Sequence, residues 1–305
     1  MSSFRVTVVV VSFNTRDKLA KCLRCIEPEH EIIVVDNNSS DGSADMVAEE
    51  FPAAKLIRNK TNRGFGSANN LGIDAATREL ILLLNSDAYA EPGAIDRMAK
   101  EFADPTIAAA GGQLLNPDGT RQSSSAERLT LWAVLCEQLL LEKLLPNSKT
   151  FSPYWNSHRL GDKTSVTAQV MGACLMMRRQ ERFDERFFLY CEDTELCRRL
   201  AKHGKILYVP EARFTHDLGS SSASKRWLAI ARYNRGKEMY LQIHHGQIAM
   251  SICWILDRTG ALLRLIAWSL ASAATMGTRR RFRDQAAMFW RVLTAPVQGP
   301  PVPLY

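Results

Sequence analysis

Three short runs, VTVVVVS at 6–12, EIIVVD at 31–36 and ELILLLN at 79–85, are apolar at nearly every position, and each is followed by residues with helical spacing. A strand that is apolar on both faces must be covered on both faces, and parallel strands joined by helices satisfy that demand. The chain therefore reads as a doubly wound α/β protein with a mostly parallel sheet. Helices are expected over 15–26, 43–51 and 65–76, and KLIRN at 55–59 supplies one more strand. AAAGGQLLNPDGTRQ reads as a strand entering a hairpin through the turn NPDG. Residues 123–168 lack alternation and are expected to form an excursion over the mouth of the site. The sheet then resumes at AQVMGACLMMRR, the helix TELCRRLAKHG meets a stop at Gly204, and KILYVP is one more strand.

Charge divides the chain into two parts. From Lys225 to the end there are twelve Lys and Arg against Glu238, Asp257 and Asp284, while the whole chain carries a net charge of +7, so residues 1–224 are slightly acidic. Residues 1–224 are expected to form the catalytic domain and 225–305 a basic, apolar helical region. The apolar runs IAMSICWIL and LLRLIAWSLASAATM in that region are interrupted by Asp257, Arg258 and Arg264, and neither reaches the roughly 20 residues of an uncharged span. A cationic, Trp-bearing, interrupted apolar segment fits an interfacial helix on an anionic membrane surface. Packing on the domain or in a homodimer is the plainer use. Nucleic acid is not expected, because no base-reading motif accompanies the basic run.

The seven cysteines are scattered, and Cys22 and Cys25 lie in a helical pattern with no second such pair, which favours reduced thiols over zinc or redox chemistry. No signal sequence precedes RVTVVVVSF, so the catalytic region is expected to face the cytoplasm.

Four polar sites, at Asp36, Asp87, Glu192–Asp193 and His216, fall where strands end or helices begin, the edge at which open α/β sheets bind ligands. Asp36 closes one strand and precedes NNSSDGS, small residues that let a backbone approach a ligand. A carboxylate there can accept from the imide N–H of a uracil or thymine ring or from ribose hydroxyls, and a turn Asp is the ordinary alternative. NRGFGSANNLG, with Gly64, Gly66 and Asn70, is a loop entering a helix and suits a diphosphate. Asn85, Ser86 and Asp87 emerge from the apolar strand LILLL, and Asp87 offers a hard oxygen to Mg²⁺ or Mn²⁺. His216 could add a second ligand. Glu192 and Asp193 sit at a helix start behind the aromatic residues Phe183, Phe187, Phe188 and Tyr190, an arrangement in which one carboxylate can take the proton of an attacking hydroxyl.

Taken in order, VVVVSFN, IIVVDNNSSDGS, NRGFGSANNLG, LLLNSD, MGACLMMRR, FDERFFLYCEDTELCRRL and the segment beginning at His216 resemble the inverting family 2 glycosyltransferases of GT-A fold, in particular the bacterial rhamnosyltransferase-like branch. The resemblance covers residues 4–224. It implies a GT-A nucleotide-diphospho-sugar transferase fold with a C-terminal helical extension. It assigns the donor to Ser12, Asn14, Asp36, Asn38, Gly64, Asn70, Asn85, Ser86 and Asp87, and the acceptor to Gly172, Ala173 and Tyr190. Asp193 becomes the general base with Glu192 beside it, and Asp87 and His216 hold Mg²⁺ or Mn²⁺. Two positions depart from the pattern: Asn85 replaces the first Asp of a strict DxD, and Glu195 replaces an Asp after the acidic pair.

The implied reaction moves a sugar, L-rhamnose from dTDP-L-rhamnose in first place, to a saccharide or polyprenyl-diphosphate-linked glycan at the inner face of the cell membrane. A nucleotidyltransferase that makes sugar nucleotides would need a glycine- and lysine-rich phosphate loop after VVVVSFN, and that loop is missing. A catalytically silent glycan-assembly subunit would not need Asp87, Asp193 and His216 together.

Overall fold

The computed structural model describes residues 5–156, 161–217 and 226–296. They fall into two compact units, one from residues 5–128 and 155–217 and one from 129–154 and 226–296. The expected boundary at 224 lies outside the described residues.

The first unit is a sheet with helices on both faces. Its elements begin β1 (Val6–Ser12), α1 (Arg16–Arg24), β2 (Glu31–Asp36), α2 (Ser43–Glu50), β3 (Lys55–Arg58), α3 (Phe65–Ala75) and β4 (Leu80–Asn85). They continue with β5 (Ala88–Ala90), α4 (Ala94–Glu101), β6 (Ile107–Leu115) and β7 (Ser125–Ala126). In the second unit are α5 (Leu131–Gln138) and α6 (Leu141–Leu144). The chain returns to the sheet with β8 (Ser165–Thr167), β9 (Gln169–Val170), β10 (Cys174–Arg178), α7 (Glu192–Leu200) and β11 (Lys205–His216). It ends, among the described residues, with α8 (Arg226–Ala274) and α9 (Arg280–Leu293).

Among the described residues the main sheet has nine strands in the order β3-β2-β1-β4-β10-β6-β11-β5, with β8 also on β11. Strands β1 to β4 pair in parallel, as do β6 and β11, whereas β10, β5 and β8 run against their neighbours. Successive residues of each apolar strand supply opposite cores. Val8, Val10, Leu82 and Leu84 pack with Leu19, Met46, Ile95 and Met98 of α1, α2 and α4. Val9, Ile33, Ile81 and Leu83 pack with Ala68 and Ile73 of α3 and Leu196 and Leu200 of α7. Burying each such Val, Leu or Ile contributes about 1.5–3 kcal/mol, and the one polar side chain inside β1, the buried Thr7, donates its hydroxyl hydrogen to Glu31.

Several expectations change in detail. Within AQVMGACLMMRR only β10 joins the main sheet, running antiparallel; β9 pairs with β7 in a small separate sheet, and the chain breaks between them at Met171–Ala173. The last strand runs past KILYVP to His216, so His216 closes the strand instead of following it. Within 123–168, residues 129–154 belong to the helical unit and not to an excursion of the sheet domain. The NPDG turn forms as expected, with Asn116 N–H donating to Thr120 O at 2.7 Å and Gly119 at φ 82°.

Candidate active site

Parallel registration brings the strand ends level. Ser12 pairs with Asp36 across β1 and β2, and Val11 with Asn85 across β1 and β4. Asp36 is 4% exposed; its Oδ2 accepts from Ser39 N–H at 3.1 Å, while its Oδ1 is buried with no hydrogen-bond partner. A buried carboxylate oxygen left open is costly unless a donor reaches it. Asn14 (φ 53°) and Asn38 (φ 70°) shape the two loops above it, and Asn14 Oδ1 accepts from Ser40 N–H at 2.7 Å. Hydroxyls link β1 to the end of β4: Ser12 Oγ lies 3.0 Å from Thr15 Oγ1, which donates to Ser86 Oγ at 2.9 Å.

Gly64 and Asn70 act on the chain that follows. Gly64 has φ 85°, and a Cβ there would lie 2.5 Å from Phe188 O, the acceptor of Phe65 N–H at 2.9 Å. The Asn70 amide is spent on the same segment: it donates to Phe183 O at 3.0 Å and Glu185 Oε1 at 3.1 Å and accepts from Phe183 N–H at 2.8 Å. Both residues thus brace the aromatic segment before the acidic pair, and the structure does not aim the Asn70 amide at the strand ends. Phe183 and Phe187 are buried, and Phe183 meets Phe65 edge-on at 5.9 Å.

Asp87 and His216 converge because β5 pairs with β11, placing His216 opposite Ala88. His216 Nε2 is 3.4 Å from Asp87 Oδ1 and 3.4 Å from Asn85 Nδ2. On the other side of the ring, Nδ1 is 3.0 Å from Gln122 Oε1. Gln122 Nε2 donates to His216 O at 2.6 Å and Asn116 Oδ1 at 2.9 Å, which fixes the amide with its oxygen toward the ring. Nδ1 then carries the hydrogen, and the unprotonated Nε2 faces both Asp87 Oδ1 and the Asn85 amide N–H. Two electron-rich atoms at that separation suit a shared cation, since neighbouring ligands of an octahedral Mg²⁺ or Mn²⁺ sit roughly 3 Å apart. Asp87 keeps 18% of its side chain exposed, so further oxygens can reach the position. Residue type and spacing fit a divalent ion, and with only these two side chains at hand among the described residues its remaining ligands would have to come from a phosphate and water.

The acidic pair is tied to the same strand end. Asn85 N–H donates to Ala173 O at 3.0 Å, and the adjacent Gly172 N–H donates to Asp193 Oδ2 at 2.8 Å. Thr194 N–H holds the other oxygen at 2.8 Å. Burial pushes the Asp193 carboxyl up from its ordinary value, and these backbone donors act against that rise. Glu192, 5% exposed, has Oε2 without a hydrogen-bond partner, and burial followed by the neighbouring Asp193 charge pushes it up to about 8. Tyr190 and Cys191 both take left-handed backbone conformations, φ 76° and 65°, at the entrance to α7. Consecutive non-glycine residues there cost on the order of 1–3 kcal/mol each, strain that functional turns commonly hold. Glu195 plays another part: its carboxylate grips Arg199 at 2.8–3.0 Å, and Arg199 also bonds Glu181 and Arg182 O. It is a structural ion pair.

Similarity to known proteins places the fold in a family. The profile of Glycosyl transferase family 2 matches residues 7–182. The chain belongs to glycosyl transferase family 2. A relative from Mycobacterium tuberculosis, an N-acetylglucosaminyl-diphospho-decaprenol L-rhamnosyltransferase, is 27% identical over 283 residues, covering 84% of this chain and 90% of its own. The O-antigen biosynthesis protein RfbC of Myxococcus xanthus is 26% identical over 74% of this chain and 19% of its own length. Among solved structures, a mannosyltransferase from Pyrobaculum calidifontis in complex with GDP-Man and Mn²⁺ superposes with a TM-score of 0.55 at 16% identity, over 95% of this chain and 85% of that one. The family 2 enzyme is a glycosyltransferase of GT-A fold.

Gln122, the Thr15–Ser86 hydroxyl link and the Lys18–Asp217 ion pair at 2.7 Å escaped the sequence reading. Gln122 ends the hairpin TRQ with no motif of its own, so only the fold reveals it.

Proposed function

We propose that this glycosyltransferase moves L-rhamnose from dTDP-L-rhamnose to a hydroxyl of a polyprenyl-diphosphate-linked glycan, with inversion, as a peripheral protein on the inner face of the cell membrane. The observation that carries the reading is the pair of peptide links, Asn85 to Ala173 and Gly172 to Asp193, that joins the Asp87–His216 end of the sheet to a half-buried carboxylate. The rhamnose donor and the lipid-linked acceptor follow the printed activity of the mycobacterial relative.

Each residue then has a part. The open Asp36 oxygen accepts the imide N–H of the thymine ring, while Ser12, Asn14 and Asn38 frame the loops around it. Asp87 and His216 hold Mg²⁺ or Mn²⁺, which when bound offsets the charge on the leaving diphosphate. Asp193, oriented by Gly172 and Thr194, takes the acceptor proton as the acceptor oxygen bonds to C1 and the C1–diphosphate bond breaks on the opposite face. Gly172, Ala173 and Tyr190 border the acceptor side. Glu192, neutral at pH 7, keeps a second negative charge away from the base.

The test is transfer by the purified protein from dTDP-, UDP- and GDP-sugars, with and without Mn²⁺, to an N-acetylglucosaminyl-diphospholipid. Rhamnosyl transfer with release of dTDP supports the reading. Transfer from UDP- or GDP-sugars alone rejects the donor, and no release of a nucleoside diphosphate with any donor rejects the enzyme.

A further inference from the structure

The helix α8 is broken at Gly246 (φ 84°, ψ 177°), and the stretch beyond the break is inverted in polarity relative to a helix on a water-soluble domain. Its inward face carries the charge. Asp257, 1% exposed, binds Lys237 Nζ at 2.7 Å and accepts from Gln138 Nε2 at 2.9 Å; Lys237, fully buried, also reaches Glu137 at 3.0 Å. Arg264 donates to Gln138 O at 3.0 Å and Glu137 O at 3.1 Å. The outward face is mainly apolar, with Thr259 the polar residue inside it: Ile248 is 78% exposed, Ile255 54%, Ile266 47% and Leu270 65%, with Ile252 and Leu262 also exposed. At about 100° per residue these positions share one sector of roughly 100° centred opposite Asp257, and at about 1.5 Å per residue the stripe from 248 to 270 runs about 33 Å. With Leu263, the exposed fractions add to nearly four whole side chains, on the order of 600 Å², the upper end for the largest apolar patch of a soluble monomer.

Charge beside the stripe identifies its occupant. Arg279, Arg280, Arg281 and Arg283 are all exposed just past the end of α8. Of the three acidic residues beyond 226, Glu238 and Asp257 are buried, leaving Asp284 alone at the surface. A second copy of this face would offer the arginines almost no acidic partner. An anionic bilayer offers both an apolar slab and negative headgroups. No described helix is long and apolar enough to cross a membrane, so the stripe lies along the surface and does not span it.

We infer that the 248–270 face of α8 is the membrane-docking surface, seated in the plane of an anionic bilayer with the arginines 279–283 among the headgroups. This rests on the peripheral localisation proposed above and specifies the surface responsible. The test uses the full chain with phosphatidylcholine vesicles containing phosphatidylglycerol. Wild type should float with them at low salt, less with pure phosphatidylcholine and less at high salt. Ile255→Glu/Ile266→Glu, at two exposed positions, should lower the bound fraction about tenfold or more, with an unchanged melting temperature. A second variant, Arg280→Glu/Arg281→Glu, should lose the preference for anionic lipid but keep residual binding. Failure of wild type to float at low salt overturns the inference, as does equal flotation of the stripe variant. A lipid-free dimer that the stripe variant converts to monomer assigns the face to a second copy and also overturns it. Transfer to a soluble acceptor, measured in parallel, reports the enzymatic reading separately: that activity can fail while flotation succeeds, or the reverse.

Discussion

Glu192→Gln replaces a buried carboxyl with a neutral group of the same shape. Carrying this carboxyl from its ordinary 4.5 to about 8 corresponds to a ceiling of about 5 kcal/mol, at about 1.4 kcal/mol for each tenfold step in proton affinity. The sign follows from which state binds the proton. Between pH 4.5 and 8 the folded protein keeps Glu192 protonated while the unfolded chain releases it, so the contribution of the neutral form is complete below pH 4.5 and is lost as pH rises toward 8. Glutamine has no such titration. Urea unfolding of wild type and variant at pH 5, 6, 7, 8 and 9 should show the variant gaining on wild type by about 3–5 kcal/mol across this window and levelling off above pH 8. Because the native side chain is already neutral at pH 7, turnover there should be retained. A stability difference independent of pH would refute the neutral Glu192, and with it the isolation of Asp193 as the charged member of the pair.

If Asp87 holds the cation, Asp87→Ala should weaken Mn²⁺-dependent donor binding in calorimetry by about tenfold or more, and excess EDTA should abolish transfer; full activity in EDTA would remove the cation from the reaction. A Cβ at Gly172 would sit 3.1 Å from Asp193 Cβ and 3.3 Å from Oδ2, so if Asp193 is the base, Gly172→Ala should displace it and lower turnover by about tenfold with donor affinity unchanged. Unaltered turnover would show that the Gly172 contact does not position Asp193. Lys237→Met leaves Asp257 buried without its cation and should cost about 3–5 kcal/mol in chemical unfolding, of which Lys237→Met/Asp257→Leu should recover a large part; equal losses in both would mean packing, not charge, dominates there.

Much of the first unit was legible because its signals are local. β1, β2 and β4 announce themselves by runs that are apolar at nearly every position, and Asp36 and Asn85 stand at the ends of β2 and β4. Long-range pairing was not legible. Nothing in AQVMGACLMMRR says that Gly172 will interrupt the strand to reach Asp193, a contact made 21 residues away. His216 was visible as a residue type, but its orientation depends on Gln122, 94 residues earlier, and on the pairing of β11 with β5. Asn70 showed a loop-to-helix pattern that suits phosphate, yet its amide is taken by Phe183 and Glu185. The tail read as helical and basic, whereas its reversal of polarity required the partners Glu137 and Gln138 from a segment a hundred residues upstream.

Asp193 as the base is the centre of the account, and Asp193→Asn tests it with the least disturbance of shape. Donor binding in the presence of Mn²⁺ should stay within about threefold of wild type, while single-turnover transfer to the diphospholipid acceptor should fall about 10²-fold or more. Transfer at the wild-type rate by Asp193→Asn would contradict the mechanism.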